Sequence, residues 1–399
     1  MASTNERVII VGAGPVGLVA AVQLARRGVP VLILETTEAL AEDLRASTFH
    51  PPTLDMLDEL GVASDVVRQG LICPHWQFRD RKTGVIATFD LGLLAGETSH
   101  PYRLQCEQWK LTRLLRDKLA QHGVDIVYGI TVNAVSQTDS TVTVLGEDGD
   151  GAPLSYDGRY VIGADGARSA VRKSLGVDFP GMTIPEIYLT MSTSHMFEQD
   201  FPDLSSIAYI SDPEEWFVLL RTPTLWRVLI PTDPTLPDEQ IIDPARVEAR
   251  LQSIAPQASA YPVVHRTAYR VHERVAQNYV AGRVMLAGDA AHLNNPLGGM
   301  GMNGGVHDAM NLADKLSQIW HGADPALLLR YERQRRHVAV QTVQAQALRN
   351  RSILNEQDPA ARRAYHDDLR AIVADPERHR DYVRKSSMLQ SLRDLEQLD

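Results

Sequence analysis

Residues 8–35 read VIIVGAGPVGLVAAVQLARRGVPVLILE. Val8–Val11 is a short apolar run, Val16–Arg27 carries its apolar residues at helical spacing, and Val31–Leu34 is a second apolar run closed by Glu35. These periods predict a strand, a helix and a second strand. Gly12, Gly14 and Gly17 form GxGxxG at the first strand-to-helix junction. That spacing suits a tight turn, a backbone that approaches a pyrophosphate, and close packing of helix on strand. The helix N-terminus then faces the phosphate charge. Glu35, placed after the second strand, can accept hydrogen bonds from a ribose. A dinucleotide site follows, without saying which dinucleotide. The same run is about long enough to span a bilayer, but three glycines and a proline interrupt it, so strand and helix fit better.

With 399 residues the chain can bury a large core and form two or three domains. A net charge of −10 with no basic block argues against nucleic acid as a partner. The N-terminal MASTNER lacks the charged-then-apolar order of a signal peptide. Cys73 and Cys106 form no CxxC, which points to a reducing cytoplasm and away from a zinc knuckle or a disulfide redox pair. The expectation is a cytoplasmic protein with no membrane span and no bound metal.

YVIGADGARSAVR, Tyr160–Arg172, is another apolar strand ending in Asp165-Gly166, and GRVMLAGDAAH, Gly282–His292, leads a strand into Gly288-Asp289. Alone, Asp-Gly is a common turn. Together with GxGxxG, these segments resemble the three motifs of the single-component (class A) FAD-dependent aromatic hydroxylases with the para-hydroxybenzoate hydroxylase fold. Those motifs are the N-terminal GxGxxG, a strand-D-G-x-x-S-x-x-R motif, and a G-D motif with a downstream proline. All three occur here in order, and the resemblance covers nearly the whole chain.

The resemblance implies an α/β fold. A glutathione-reductase-type, Rossmann-like FAD domain would occupy residues 1–70, 101–180 and 276–330. An inserted β-sheet substrate domain would occupy 71–100 and 181–275, and a helical region 331–399. By the same resemblance Gly12, Gly14 and Gly17 hold the FAD pyrophosphate, Glu35 the adenosine ribose and Asp289 the ribityl chain. Asp165 and Gly166, with Arg168 and Ser169, lie near the pyrophosphate and the approach of NADH or NADPH. Arg45 in LRASTFH and Gln108 in QWKLTRLL match flavin-contacting positions.

The segment NNPLGGMGMNGG, Asn294–Gly305, follows the G-D motif, and Val306, Ala309, Met310, Ala313, Leu316 and Trp320 then recur at helical spacing. A linker would hardly lead into such a helix. The resemblance places Pro296, Met302 and Asn303 at the pyrimidine edge of the flavin. The positive end of the helix would stabilise negative charge on the reduced ring, and glycines such as Gly299 would let the backbone lie against it.

Between about residues 180 and 275, segments such as IAYISD, EWFVLLRT and LWRVLIPT alternate well enough for an antiparallel sheet, and HWQFRDRKTGVIATFDL is expected to pair with it. Candidate substrate-pocket residues are His195, Tyr209, Trp216, Arg221, Trp226 and Arg227. Arg221 can be laid over a carboxylate-binding arginine of some relatives, while for the tryptophans sheet packing is the commoner role. His50 and His292 sit near flavin motifs and could relay a proton. ALLLRYERQRRHVAVQTVQAQAL, Ala326–Leu348, predicts a long amphipathic helix. The mixed charge beyond it suits a solvated face, or an interface in a homodimer.

The activity this implies is hydroxylation of a small phenolic, hydroxybenzoate-like or hydroxypyridine-like ring, with NADH or NADPH and O2, through a flavin C4a-hydroperoxide. A non-hydroxylating reductase or oxidase of the same fold remains open. So do a flavin-dependent halogenase, whose WxWxIP is only partly echoed by WRVLIP, and a non-catalytic FAD sensor.

Overall fold

Strands from three distant parts of the sequence lie side by side at the centre of the molecule. In the computed structural model, which describes residues 5–42, 44 and 46–398, Val8–Val11 pairs in parallel with both Val31–Leu34 and Tyr160–Gly163, and Tyr160–Gly163 pairs with Val284–Leu286. Ile126–Val127 and Val280–Ala281 complete a six-stranded sheet. Its strands are apolar on both faces, as a sheet covered on both sides requires. Helix Pro15–Ala25 packs on it, and its buried residues run from Gly17 to Leu24 without interruption. A helix with no polar stripe is an interior helix. Helix Gly301–Trp320 packs against it and starts directly after the glycine loop.

The second large sheet has eight strands in the order 292–293, 263–275, 181–193, 226–232, 217–221, 207–211, 75–80 and 84–90. The hairpin His75–Asp80/Gly84–Asp90 joins it through a parallel pairing with Ile207–Ser211. Side chains alternate across this sheet, so it divides two apolar clusters. One contains Trp226, Phe217, Val228 and Ile230 and is covered by helix Pro244–Ile254 through Val247, Leu251 and Ile254. The other contains Trp76, Phe78, Tyr209 and Trp216 and faces the glycine loop and the C-terminal helices. Helix Pro244–Ile254 is an addition to the expected all-β segment. Asp243 caps it by accepting from Ala245 N and Arg246 N, and Pro244 stands in its first turn.

The long C-terminal helix is present, as Leu327–Val338 continued by a π-helical turn at Ala339–Gln344 and by Ala345–Leu354. The two helices beyond it correct the expectation of a solvated face. Pro359–Ala374 and Pro376–Ser386 bury His366, Leu369, Ile372, His379 and Val383 against the substrate sheet. Much of their charge lies on the outward side, while Arg362 and Arg384 turn inward to Asp80 and Glu97. Among the described residues no helix is long and apolar enough to cross a membrane.

Candidate active site

The C-terminal ends of neighbouring parallel strands carry the three motifs to one edge of the central sheet. Val11, Gly163 and Leu286 are in register across it, so Gly12, Asp165 and Asp289 follow from adjacent strands. Ligands of open parallel sheets bind at that edge. A Cβ on Gly12, whose φ is +102°, would lie 2.4 Å from the Ala164 carbonyl oxygen, and one on Gly17 would lie 2.0 Å from the Gly12 oxygen. Those two glycines let backbone meet backbone. Gly14 differs: nothing lies within 4 Å of its added Cβ, and helix Pro15–Ala25 has no side-chain cap. Uncapped amides facing open space are what a pyrophosphate needs. Glu35 is held toward the same turn, its carboxylate accepting from Ala13 N at 2.7 Å and from Thr37 N and Oγ1 at 3.0 and 2.9 Å.

Asp165 organises its own turn. Oδ1 accepts from Ser169 Oγ at 2.6 Å and Oδ2 from Val171 N at 3.1 Å, while Ser169 Oγ caps the next helix through Arg172 N. Arg172 then ties this motif to the next, donating to the Ala290 carbonyl at 2.8 Å. Gly166 takes a φ of +76° and meets nothing. Asp289 is exposed on the short turn Gly288–Ala290. Gln108 opens helix Gln108–Gln121, its N–H donating to the Ala46 carbonyl at 3.0 Å. Arg45 lies outside the described residues.

The glycine loop is fixed from below. Gly298 and Gly299 adopt φ of +111° and +67°, and a Cβ on Gly299 would sit 3.0 Å from Thr48 Cβ. Pro296 accepts at its carbonyl from Gly299 N. Helix Gly301–Trp320, with Met302 and Asn303 in its first turn, has no side-chain cap. Asn303 is fully buried. Two uncapped helix N-termini, the open space over Gly14 and the positive-φ glycines fit an FAD stretched from Glu35 to the loop before helix Gly301–Trp320.

His50 and His292 lie deep, and neither ring is exposed. His50 Nε2 donates to the Gly298 carbonyl at 2.9 Å, so its lone pair is on Nδ1, which has no partner. Burial, reinforced by the Arg103 charge, holds His50 well below its ordinary value. His292 Nε2 is 2.7 Å from Asp308 Oδ2, and Arg335 Nε donates to Asp308 Oδ1 at 2.6 Å. His292 and Arg335 overcome the desolvation of Asp308 and hold its carboxyl at about 2. This buried cluster also accepts from Gly288 N and so braces the G-D turn. His292 is therefore committed to the framework under the loop.

A cavity opens between the substrate sheet, the loop and the C-terminal helices, with about 460 Å³ of empty space counted to its open mouth. Trp76, Phe78 and Tyr209 form one wall, Gly298 and Met300 another, and Gln346, Asn350, Ile353, Leu354, Tyr365, Tyr382 and Ser386 a third. Arg103 completes the lining. Of the six substrate candidates only Tyr209 lines this cavity. Trp216 shares its face of the sheet, but its indole N–H donates to Asn355 Oδ1 at 2.9 Å and its ring packs edge-on to Tyr188. Arg227 also alternates to that face, where its charge reaches Glu107 rather than the cavity lining.

His195, Arg221 and Trp226 lie on the opposite face. Trp226 is fully buried and donates to Glu198 Oε2, Arg221 faces Glu198 Oε1 at 3.4 Å, and His195 meets Asp200 at 2.5 Å among Phe197 and Tyr261. Strand alternation decides this: Arg221 shares parity with Phe217 and Leu219, which face helix Pro244–Ile254.

Arg103, Tyr365 and Tyr382 escaped the sequence reading. YRLQ is an ordinary strand with no motif. The tyrosines sit on the charge-rich helices Pro359–Ala374 and Pro376–Ser386, where no motif marks them.

The FAD binding domain family model matches residues 5–346. The chain is 34% identical to the para-nitrophenol 4-monooxygenase of Pseudomonas sp. strain WBC-3, over 99% of this chain and 96% of the relative. It is 35% identical to the 6-hydroxy-3-succinoylpyridine 3-monooxygenase of Pseudomonas putida, over 96% and 98% of the two chains. The crystal structure of p-nitrophenol 4-monooxygenase from Pseudomonas putida DLL-E4 superposes with a TM-score of 0.91 at 32% identity, covering 96% of this chain and 98% of that one.

Proposed function

Because this chain belongs to the single-component FAD-dependent aromatic monooxygenases with the para-hydroxybenzoate hydroxylase fold, we propose that it hydroxylates a one-ring phenol or hydroxypyridine, with NADH or NADPH as reductant and O2 as the oxygen source. The observation that carries this reading is an aromatic-walled cavity set directly against the glycine loop, with Gly298 and Met300 on one side and Trp76, Phe78 and Tyr209 on the other. Relatives that match this chain end to end are named for a nitrophenol and a hydroxypyridine.

The protein's share of the chemistry is positioning and exclusion of water. Gly12, Gly14, Gly17 and Glu35 would hold one end of FAD, and the loop before Gly301–Trp320 the other. FAD held there would supply the redox chemistry, reduction by a nicotinamide and transfer of one oxygen atom of O2 to the ring. Trp76 and Phe78, side by side on one wall, would give an aromatic ring a surface to pack on. The C-terminal helices close the outer side, which keeps solvent from the reacting carbon. Burial pushes the hydroxyls of Tyr209 and Tyr382 up, so both stay protonated and can donate to a ring oxygen.

Anaerobic reduction of the bound flavin by NADH and by NADPH tests the proposal, with and without 4-nitrophenol, 2- and 4-hydroxypyridines and a polycyclic phenol. A one-ring compound should speed bleaching and, with O2 admitted, gain one oxygen atom. Fast reduction without any aromatic would favour a reductase. Acceleration by the polycyclic compound alone would overturn the one-ring assignment.

A further inference from the structure

We infer that Arg103 is the anion-recognition residue of the cavity, and that the substrate carries an oxyanion on its ring, a phenolate or a ring carboxylate, when it binds. The inference rests on the aromatic-monooxygenase reading above and narrows its substrate class.

Arg103 stands on strand Arg103–Gln105, between Thr48–Phe49 and Leu71–Cys73. The same small sheet carries Thr48, against which the glycine loop packs. Arg103 is 3% exposed and lines the cavity. Its Nη2 donates to the Ser386 carbonyl at 3.2 Å, its Nε has no partner, and its guanidinium lies 5.2 Å from the Trp76 ring centroid.

Among the described residues no carboxylate forms an ion pair with it. Besides His50, whose imidazole cannot supply an anion, its ionisable neighbours are Tyr209, Tyr382 and Cys73. Each is pushed upward by burial, Cys73 to about 11, so none is an anion at neutral pH. A guanidinium stays charged in a protein, and a buried charge without a counter-ion is costly. Other buried guanidiniums are answered inside the protein: Arg335 by an ion pair with Asp308, Arg79 by Gln77 Oε1 and the Pro202 and Asp203 carbonyls, and Arg172 by the Ala167 and Ala290 carbonyls.

Arg103 has only neutral partners, the Trp76 ring face, the Ser386 carbonyl and the Tyr209 hydroxyl, beside a cavity open to a ligand. An incoming oxyanion supplies the missing charge and accepts the unsatisfied donors. A neutral phenol would leave the charge uncompensated. A purely structural Arg103, pinning the end of helix Pro376–Ser386, would need only the Ser386 contact and would not discriminate between ligands by charge.

The test compares dissociation constants, read from perturbation of the flavin spectrum, for wild-type holoenzyme, Arg103→Gln and Arg103→Lys. The probes are 4-nitrophenol, at a pH where it is ionised, against neutral 4-methylphenol, and benzoate against benzamide. At least one anion should bind the wild type more tightly than its neutral counterpart. Arg103→Gln should weaken that anion by roughly tenfold to a hundredfold, while the neutral ligand moves by less than about threefold. Arg103→Lys should recover part of the loss. Which anion responds separates phenolate from carboxylate recognition. Equal losses for charged and neutral ligands, or a wild-type preference for the neutral ones, would overturn the inference while leaving the monooxygenase reading intact. If no aromatic perturbs the wild-type flavin or speeds its reduction, the parent reading fails and this one with it. Should Arg103→Gln fail to retain FAD, the wild type decides alone: affinity for 4-nitrophenol must rise as the phenol ionises, and a flat or falling affinity counts against Arg103.

Discussion

Asn303 Nδ2 donates to the Thr48 carbonyl at 2.8 Å and to the Gly299 carbonyl at 2.6 Å, while its Oδ1 accepts from His50 N at 2.9 Å. One buried amide thus joins three segments: the strand Thr48–Phe49, the glycine loop and the first turn of helix Gly301–Trp320. The side chain is fully used inside the protein, so its effect on a cofactor must pass through the shape of the loop. Asn303→Ala leaves two carbonyls and an N–H unsatisfied, which should cost about 2–4 kcal/mol. Urea unfolding of the apoprotein measures the cost directly, with FAD retention on gel filtration as the second readout. Unchanged stability would show that the loop holds its shape without this clamp.

Gly14 and Gly17 occupy the same motif, yet substitution should act on different quantities. Alanine at Gly17 forces a Cβ to 2.0 Å from the Gly12 oxygen, so the turn must shift and the fold should lose stability even without cofactor. Alanine at Gly14 meets only open space, at a φ of −70° that any residue adopts. Gly14→Ala should leave apoprotein stability within about 0.5 kcal/mol and weaken FAD binding, as measured by titration of the apoprotein. FAD affinity equal to wild type would move the pyrophosphate away from Gly14.

Glu273 should make the fold weaker at alkaline pH. Burial raises its carboxyl to about 7, against the opposing pull of the Asn295 N–H, which donates to Oε1 at 2.7 Å, and of the Arg351 charge. Oε2 has no partner. The folded form therefore binds this proton more tightly than the unfolded chain. The stability it contributes is complete below the unfolded carboxyl's range and is lost as pH rises through about 7. The loss should approach roughly 3 kcal/mol. His50 and His307, the latter held at about 3 by burial, act in the opposite sense and only at acid pH, where the unfolded chain protonates first. In denaturation series from pH 5 to 9 the wild type should lose stability relative to Glu273→Gln as pH rises through about 7, the histidine contribution being common to both. Parallel curves would assign the slope to other groups.

Arg221→Ala should leave KM and kcat within about twofold, for anionic and neutral substrates alike, because Arg221 faces Glu198 and Trp226 behind the sheet. Its loss should cost no more than about 1 kcal/mol. A large rise in KM for a carboxylated substrate would mean that this strand presents its other face to the ligand.

GxGxxG with its flanking strands, the Asp165-Gly166 and Gly288-Asp289 turns, and the glycine run before a helical repeat were legible because each depends on backbone constraints. Tight turns, close approaches and helix starts are written locally, in glycines, acids and periodicity. Those segments therefore specified the parallel sheet, the helix pair and the family by themselves. Three-dimensional packing decided which side chains reach the cavity. A strand's two faces look alike in sequence when both are buried, so Tyr209 and Trp226 both stand as candidates until helix Pro244–Ile254 covers one face and the C-terminal helices the other. Arg103 is the sharpest case. Its residue type is common on surfaces, and only burial beside Trp76, Tyr209 and Tyr382, without an acid, turns it into a charge waiting for a partner.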